Sequence, residues 1–173
     1  MDFSKFKTSD WLMIGGGVLT LIGGLLLDWI SIEGSGASLS GGNAFDFTFT
    51  GALPWLLLIA ATVIAVLLVL GKLDALAQPW PLILLGGTGL AALLLLMRIV
   101  FNPGIPDGVS RGVGMYVTFV AALVTAAGAF LNFQASGGEL SDLTNMNKLK
   151  ASFSSGSKDG GGDTPPPPPP PAQ

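Results

Sequence analysis

Three charged residues near the ends of long apolar stretches are the side chains in this sequence best placed for chemistry inside a membrane. They are Asp28, Arg98 and Arg111. A charge at the bilayer centre costs about 2.5–3.5 kcal/mol on insertion scales, so such residues pair with each other or line an ion pathway. A pathway normally requires acidic groups near the midplane, and the second, third and fourth apolar stretches contain no Asp or Glu. We therefore predict that Asp28 pairs with Arg98 or Arg111 and joins the outer ends of the helices.

The residue types that most enzymes require are missing. The chain has no His and no Cys, which removes the commonest metal ligand, the usual general base at neutral pH and every thiol nucleophile. The glycines at 15–17 lie inside an apolar stretch and not after a strand, so they do not form a phosphate-binding loop. The net charge of −3 offers no basic field to a nucleic acid. We expect no catalytic residue, no metal site and no cofactor, in a protein that is not an enzyme.

Four apolar stretches of about 20 residues must position these charges. A helix needs roughly that length to cross a bilayer. The chain is 50% hydrophobic and only 11% charged, whereas a soluble domain averages about 25% charged residues. The sequence predicts an all-α, integral membrane four-helix bundle at 11–135. Its helices are predicted at about 11–30, 52–70, 80–100 and 113–133.

The distribution of basic residues predicts the orientation of the bundle. Six basic residues fall on the side that holds both termini: Lys5, Lys7, Lys72, Lys148, Lys150 and Lys158. Only Arg98 and Arg111 fall on the other side. The excess of positive charge predicts a multi-pass plasma-membrane protein whose N- and C-termini are both cytoplasmic.

All four tryptophans lie at predicted helix ends, at Trp11, Trp29, Trp55 and Trp80. An amphipathic indole ring is favoured where the apolar core meets the headgroups. We therefore predict that these four side chains lie in the two membrane interfaces.

Small residues recur along the predicted helices, many of them four apart. The residues predicted to pack helices together are Gly16, Thr20, Gly24, Gly87, Ala91, Gly114, Thr118, Ala122 and Ala126. Small side chains let helix backbones approach closely in lipid. Two interpretations stay open: these residues hold the protein's own bundle together, or one set of them docks a partner subunit.

The segments outside the bundle differ from it in composition. Residues 1–10 are predicted to form a cytoplasmic arm. The first outer loop, 31–51, is rich in Gly and Ser and then alternates Phe45, Phe47 and Phe49. Period-two alternation predicts an extended segment. It either adds a strand to a partner's sheet edge or rests its rings among the outer headgroups.

Residues 136–153 are predicted to form an amphipathic helix on the inner leaflet, begun by a capping box of Ser136 and Glu139. Its Lys148 and Lys150 would face anionic headgroups, although a plain linker is the alternative. Residues 154–173 are rich in Gly and Pro and are predicted to be disordered. Seven consecutive prolines adopt polyproline II, which either binds an aromatic groove of a cytoplasmic protein or serves as a spacer. They are Pro165, Pro166, Pro167, Pro168, Pro169, Pro170 and Pro171.

The whole pattern resembles a class of small four-helix membrane proteins common in actinobacteria. The resemblance is carried by Leu27-Asp28-Trp29 after the first helix, the Gly/Ser/Phe-rich outer loop and Met97-Arg98 at the end of the third helix. The glycines at 112 and 114 and the proline-rich tail complete it. It covers nearly the whole chain, implies a role in the cell envelope and transfers no functional residue.

These observations favour a non-catalytic accessory or scaffold subunit of a plasma-membrane complex. Its partners would be membrane lipid, other membrane protein subunits and a polyproline-binding cytoplasmic protein. The competing interpretation is a small transporter or channel-like homo-oligomer with Asp28, Arg98 or Arg111 at its outer mouth. A weaker third is a lipid-handling or sensing protein that uses the outer Phe loop.

Overall fold

Four long helices, counted with the π-helical turns that extend two of them, make up about half of the protein. A computed structural model describes residues 6–34, 37–73, 78–101 and 109–154. The long helices are α1 (Thr8–Leu21), α2 (Leu53–Val69), α3 (Trp80–Phe101) and α4 (Val113–Ala135). Two π-helical turns, Ile22–Leu26 after α1 and Thr48–Ala52 before α2, lengthen the first two. With these turns, all four helices are long and apolar enough to cross a membrane, which indicates a helical membrane protein.

The helices alternate in direction and pack in the order α1, α2, α3, α4, with α4 returning to contact α1. The α1–α4 contact is the most extensive of the four. The end of the bundle where α1 begins and α4 ends is here named the terminal end, and the opposite end is named the sheet end. The core forms two clusters: one around Trp29, Leu58, Leu95 and Met115, and one around Met13.

Glycines bring the backbones of α1 and α4 into direct contact. A side chain at Gly16 would collide with Thr125, and one at Gly23 would collide with Thr118. A side chain at Gly128 of α4 would likewise meet the backbone of α1. Lipid offers helices no hydrophobic reason to associate, so such close contact is a main source of packing energy in a membrane.

The glycine that follows each of Gly16 and Gly23 packs against α2 and not against α4. Gly17 lies against Thr62 of α2, and Gly24 lies against Trp55 at the start of α2. The two Gly-Gly pairs are seven residues apart, so they recur on the same sides of the helix. One member of each pair admits α4 and the other admits α2.

Three short antiparallel strands cover the sheet end. They are β1 (Ile30–Gly34), β2 (Ala37–Gly41) and β3 (Val109–Arg111), in the order β2-β1-β3. Ile30 pairs with Gly41 on one side and with Arg111 on the other. The first helix was predicted to reach residue 30, but it ends at Leu26 because the chain turns at 27–29 and enters β1.

The extended segment predicted over Phe45–Phe49 is wrong. A 3-10 turn at Ala44–Asp46 and the π-helical turn Thr48–Ala52 occupy this stretch and lead into α2. Asn43 determines the local fold, because its side-chain oxygen accepts from Phe45 N (2.8 Å) while its own N–H donates to the Asp46 carboxylate (2.7 Å). This reciprocal cap bends the chain where the alternating rings suggested a strand.

The predicted capping box of Ser136 and Glu139 is also wrong. Ser136 ends α4, and its hydroxyl donates to the carbonyl of Asn132 (2.9 Å). Gly137 has φ +82°, and the next residue, Gly138, donates its N–H to Phe133 O (3.1 Å), which is a Schellman C-cap. Two short helices follow, α5 (Leu140–Thr144) and α6 (Met146–Ser154), within the stretch predicted as one amphipathic helix.

Half of the predicted N-terminal arm, at 1–5, lies outside the described residues, and α1 begins within the other half, at Thr8. The predicted disordered tail beyond Ser154 also lies outside them, including the seven prolines at 165–171.

Adding a methyl group to adjacent glycines of α1 should affect stability in opposite directions. Gly16→Ala places its Cβ against Thr125 and the Ala121 carbonyl, so it should destabilise the bundle by about 1–3 kcal/mol. Gly15→Ala meets nothing within 4 Å and should be neutral or stabilising, because Ala is about 1 kcal/mol better than Gly in a helix. Thermal unfolding of both variants in mild detergent measures the difference, and equal melting temperatures would contradict the α1–α4 contact.

Candidate functional site

Arg98 is the charged side chain that the structure places deepest in the protein. It lies in the last turn of α3, and only 1% of it is exposed. Its Cζ lies 3.6 Å from the centroid of the Phe47 ring, and Nη1 makes a long hydrogen bond of 3.4 Å to the Thr50 hydroxyl. A guanidinium within about 6 Å of a ring face is attracted by the ring quadrupole, most strongly where water is excluded. Arg98 therefore joins the end of α3 to the segment that precedes α2.

Trp29 lies against the same aromatic ring. Its indole stacks on Phe47 with ring centroids 6.2 Å apart, and its side chain is 0% exposed. The indole N–H donates to the carbonyl of Gly23 (2.8 Å). The chain turns inward after Leu26 and buries this ring against other residues of the protein. The membrane-interface position predicted for Trp29 stays a prediction.

A second tryptophan makes an equivalent bond. The half-buried Trp55 donates its indole N–H to the carbonyl of Thr20 (3.1 Å). The two accepting carbonyls belong to Thr20 and Gly23, which lie on either side of Ile22. The π-helical turn after α1 begins at Ile22 and interrupts the regular i→i+4 hydrogen bonds. The two indoles therefore supply donors to α1 carbonyls at this irregularity, and both hold α1 to the elements that follow it.

The backbone at Asp28 and Trp29 is bonded on both sides. Trp29 N donates to the carbonyls of Gly41 and Gly42 (3.2 Å each), while its own carbonyl accepts from Gly112 N (2.8 Å). The Asp28 carbonyl accepts from Gly114 N (2.9 Å) and so satisfies a first-turn donor of α4. A side chain at Gly112 would collide with the Asp28 and Trp29 backbone, which explains why this position is glycine.

The structure brings all three predicted membrane-end charges to the sheet end. Asp28 is exposed there, and Arg111 is half-buried in β3. Arg98 is buried against Phe47, a contact that the sequence analysis did not predict. The ion pair of Asp28 with Arg98 or Arg111 stays a prediction.

Most of the residues predicted to pack helices lie inside the bundle. Gly16 approaches α4 closely, Gly24 lies against Trp55 of α2, and Gly114 of α4 lies against the backbone of Gly23 and Leu27. The fully buried members are Thr20, Ala91, Thr118 and Ala122, and Ala126 is half-buried. Gly87 differs, since a side chain there would meet no other atom within 4 Å.

The buried threonines are bonded within their own helices. Thr20, Thr88, Thr118 and Thr125 each donate their hydroxyl to the carbonyl four residues earlier, all at 2.8 Å. Such a bond satisfies the donor without a partner helix or a water molecule. These hydroxyls therefore act as small packing groups in the bundle interior.

One face of α3 carries glycines that have open space beside them in the part of the chain that the structure describes. Gly86 and Gly89 are exposed, and a side chain at either would meet nothing within 4 Å. Exposed apolar residues continue the same stripe toward the sheet end. The α3 outer face consists of Gly86, Gly89, Leu90, Leu93, Leu96, Met97 and Val100.

A cleft of about 500 Å³ lies at the terminal end. The start of α3, the turn after α4 and α6 form its walls. Lining residues include Pro79, Leu82, Phe133, Lys148, Leu149 and Ala151. The sequence predicts Lys148 near headgroups but does not predict a cleft, because the cleft depends on how α6 crosses the ends of α3 and α4.

Removing the Trp29 indole N–H should destabilise the protein far more than the same change at an exposed tryptophan. Trp29→Phe leaves the buried Gly23 carbonyl without this donor, at a cost of about 1–3 kcal/mol. Trp11 is half-exposed, so Trp11→Phe should change stability by less than about 0.5 kcal/mol. Detergent unfolding monitored by circular dichroism compares them, and equal losses would contradict the role assigned to the buried indole.

Double-mutant cycles should separate the observed contact of Arg98 from the predicted ion pair. Arg98→Met combined with Phe47→Leu should give a coupling energy of about 1–2 kcal/mol, because the cation–π contact is buried. The cycle of Arg98→Met with Asp28→Asn should give at most about 1 kcal/mol, because Asp28 is exposed. A larger coupling energy of Arg98 with Asp28 than with Phe47 would contradict this ranking. A coupling energy of zero between Arg98 and Asp28 would show the predicted Asp28–Arg98 pair to be wrong.

Comparison of the chain with protein-family models, with curated proteins and with solved structures found no match in any of the three. The function of this protein is therefore inferred from its own residues and their arrangement.

Proposed function

We propose that this protein is a non-catalytic accessory or scaffold subunit of a plasma-membrane complex in the cell envelope, and that it docks through its transmembrane helices. The observation that carries the proposal is the α3 outer face. Among the residues that the structure describes, nothing lies within 4 Å of a side chain placed at Gly86 or Gly89, in contrast to the paired glycines of α1.

Glycine has a cost in a helix that a contact normally offsets. A helical Gly is about 1 kcal/mol less favourable than Ala, and Gly16, Gly17, Gly23 and Gly24 offset it by admitting a neighbouring helix. Gly86 and Gly89 are one helical turn apart on one face, so together they form a shallow groove of the kind a helix from another subunit packs into. Two interpretations of the small residues were open: they hold the protein's own bundle together, or one set of them docks a partner subunit. The open groove favours the second.

The interior of the bundle supports a structural role more than a transport role. Large apolar side chains fill it, among them the fully buried Met13, Leu58, Leu84, Leu95 and Met115. The buried threonine hydroxyls donate to their own helices and do not form a chain of polar groups between the ends. In the part of the chain that the structure describes, no group of three or more metal-ligating side chains is present.

The tail adds a second means of attachment to the proposal. Both termini would be cytoplasmic, and the prolines at 165–171 would recruit a protein with an aromatic, polyproline-binding groove. The subunit would then link a membrane complex to a cytoplasmic partner without chemistry of its own.

Substitutions on the α3 outer face should release the partner without unfolding the protein. The tagged protein is purified from native membranes in mild detergent, and its partners are identified by mass spectrometry. Gly86→Leu with Gly89→Leu should abolish a partner recovered in near-equal amount, while the melting temperature stays that of the unaltered protein. Gly15→Leu is the matched control, because Gly15 is an equally open glycine on α1 and should retain the partner.

A chain cut after Ser154 tests the tail separately. Loss of a further, soluble protein on truncation would place that contact in the prolines. Recovery of the unaltered protein alone, as a defined oligomer, would contradict the subunit proposal. The small transporter or channel-like homo-oligomer would then be tested by ion flux into liposomes that contain only this protein.

A further inference from the structure

We infer that a ring of four apolar side chains at the sheet end contacts lipid acyl chains, so that the hydrocarbon region of the membrane extends over the last turn of α3. The ring, here named the apolar collar, consists of Leu26, Phe49, Phe101 and Val113. The inference concerns the lipid contact and the depth of the sheet end. It requires that the four helices span a membrane and does not depend on the partner proposed above.

The collar residues are distinguished by their exposure and by their position. Each is between 60% and 76% exposed, more than any other large apolar side chain that the structure describes in the four membrane-length helices. Each belongs to a different one of these helices, counted with the π-helical turns. All four lie at or next to the residue where their helix meets the sheet end. Large apolar surface of this kind marks a contact with lipid or with another protein.

One contact places the collar residues of α1 and α4 at the same level. The side chain of a residue at Gly114 would collide with the backbone of Leu27. These two positions directly follow Val113 and Leu26 in the sequence. The end of the first membrane-length helix and the start of the fourth therefore lie side by side.

Arg98 does the same for the other two collar residues. It lies three residues before Phe101 in α3. Its guanidinium lies over the Phe47 ring and bonds to the Thr50 hydroxyl, and Phe49 lies between these two positions in the sequence. The end of the third membrane-length helix is thus level with the start of the second.

The distribution of the collar selects lipid as its partner. The four helices pack in a closed order in which α4 returns to α1, and each contributes one collar residue. The exposed apolar side chains are therefore spread around the bundle. A protein partner docks on one side and would leave the rest of the collar in water. Lipid surrounds a membrane bundle, and Leu, Phe and Val are among the residues that membrane insertion favours most.

The length of α3 agrees with this depth. The helix begins at Trp80 and ends at the collar residue Phe101. Its 22 residues rise 1.5 Å each, so it is about 33 Å long. The hydrocarbon core of a bilayer is about 30 Å thick. A membrane boundary at the collar therefore places the opposite boundary near Trp80, where an indole ring is favoured.

Polar residues begin directly beyond the collar. Asp28 is exposed two residues after Leu26, and Ser110 of β3 is exposed three residues before Val113. This change marks the edge of the hydrocarbon region and leaves the strands at headgroup level. Arg98 lies just inside that edge. A charge at this depth is costly in contact with acyl chains, which gives a reason for its enclosure by the protein.

The experiment uses spin labels, because the chain contains no cysteine and a single introduced Cys can be labelled selectively. Leu26→Cys, Phe49→Cys, Phe101→Cys and Val113→Cys are labelled one at a time with a nitroxide. The protein alone is reconstituted in phosphatidylcholine liposomes. Electron paramagnetic resonance then compares collisions of the label with oxygen, which is enriched in hydrocarbon, and with a water-soluble nickel complex.

Oxygen collisions should exceed nickel collisions at all four collar positions. Ser110→Cys is the matched control beyond the collar, where nickel collisions should exceed oxygen collisions. Leu93→Cys is the control inside the membrane, because Leu93 is exposed in the middle of α3, and it should give the largest excess of oxygen.

Two results would overturn the inference. An excess of nickel collisions at any collar position would place that side of the sheet end in water. Few collisions with either reagent at one or two positions would show that a second copy of the chain covers them. Melting temperatures equal to that of the unaltered protein exclude misfolding. If Phe101→Cys fails that control, Val100→Cys replaces it, because Val100 is the neighbouring exposed residue and should show the same excess of oxygen.

Discussion

The buried indole of Trp29 is the interaction on which the sheet end of this protein depends. Its N–H bonds to a carbonyl of α1, its ring stacks on Phe47, and its backbone bonds to the glycines before α2 and before α4. A buried polar group that loses its partner cannot readily turn to water, so each of these bonds costs more to break than it would at an exposed surface. The bonds of Trp29 thereby fix the backbone before α2 and before α4.

Glycine makes that arrangement possible, and it does so by close approach more than by unusual backbone angles. The chain at 27–29 crosses the start of α4 at Gly112 and Gly114, where a side chain would collide with carbonyl groups. Farther along, Gly16 and Gly23 admit α4, and Gly17 and Gly24 admit α2. Arg98 completes the closure, since its contact with Phe47 ties the end of α3 to the segment before α2. Features that are far apart in sequence, Leu27-Asp28-Trp29, Met97-Arg98 and the glycines at 112 and 114, meet at this one end.

The two ends of the bundle differ in a way that matters for function. The sheet end is closed by strands, aromatic stacking and a buried guanidinium, which suits a rigid lid on the helices. The terminal end is open, with a cleft beside Lys148 and a short amphipathic helix that leads toward the proline-rich tail. Between them, the α3 outer face leaves glycines uncovered. The partner contacts proposed for this protein would lie along that side of the bundle.

The sequence by itself determined the four apolar helices, because 20 apolar residues in a row have few stable alternatives to a membrane helix. The four-residue spacing of small residues also predicted packing positions at Gly16, Thr118 and Ala122, and all three are buried. The tertiary structure decided the rest. The turn after Leu26 buries Trp29 within the protein, and a side chain built at Gly87 would meet nothing within 4 Å although Leu84 and Ala91, on the same side of α3, are buried. The strands at 30–34 and 37–41 were not predicted, although Ile30-Ser31-Ile32-Glu33 alternates with period two. The extended segment was predicted at Phe45–Phe49 instead, where the alternating residues are aromatic. Arg98 was identified as a charge from its type, but its contact with Phe47, 51 positions earlier, exists only once both segments have folded.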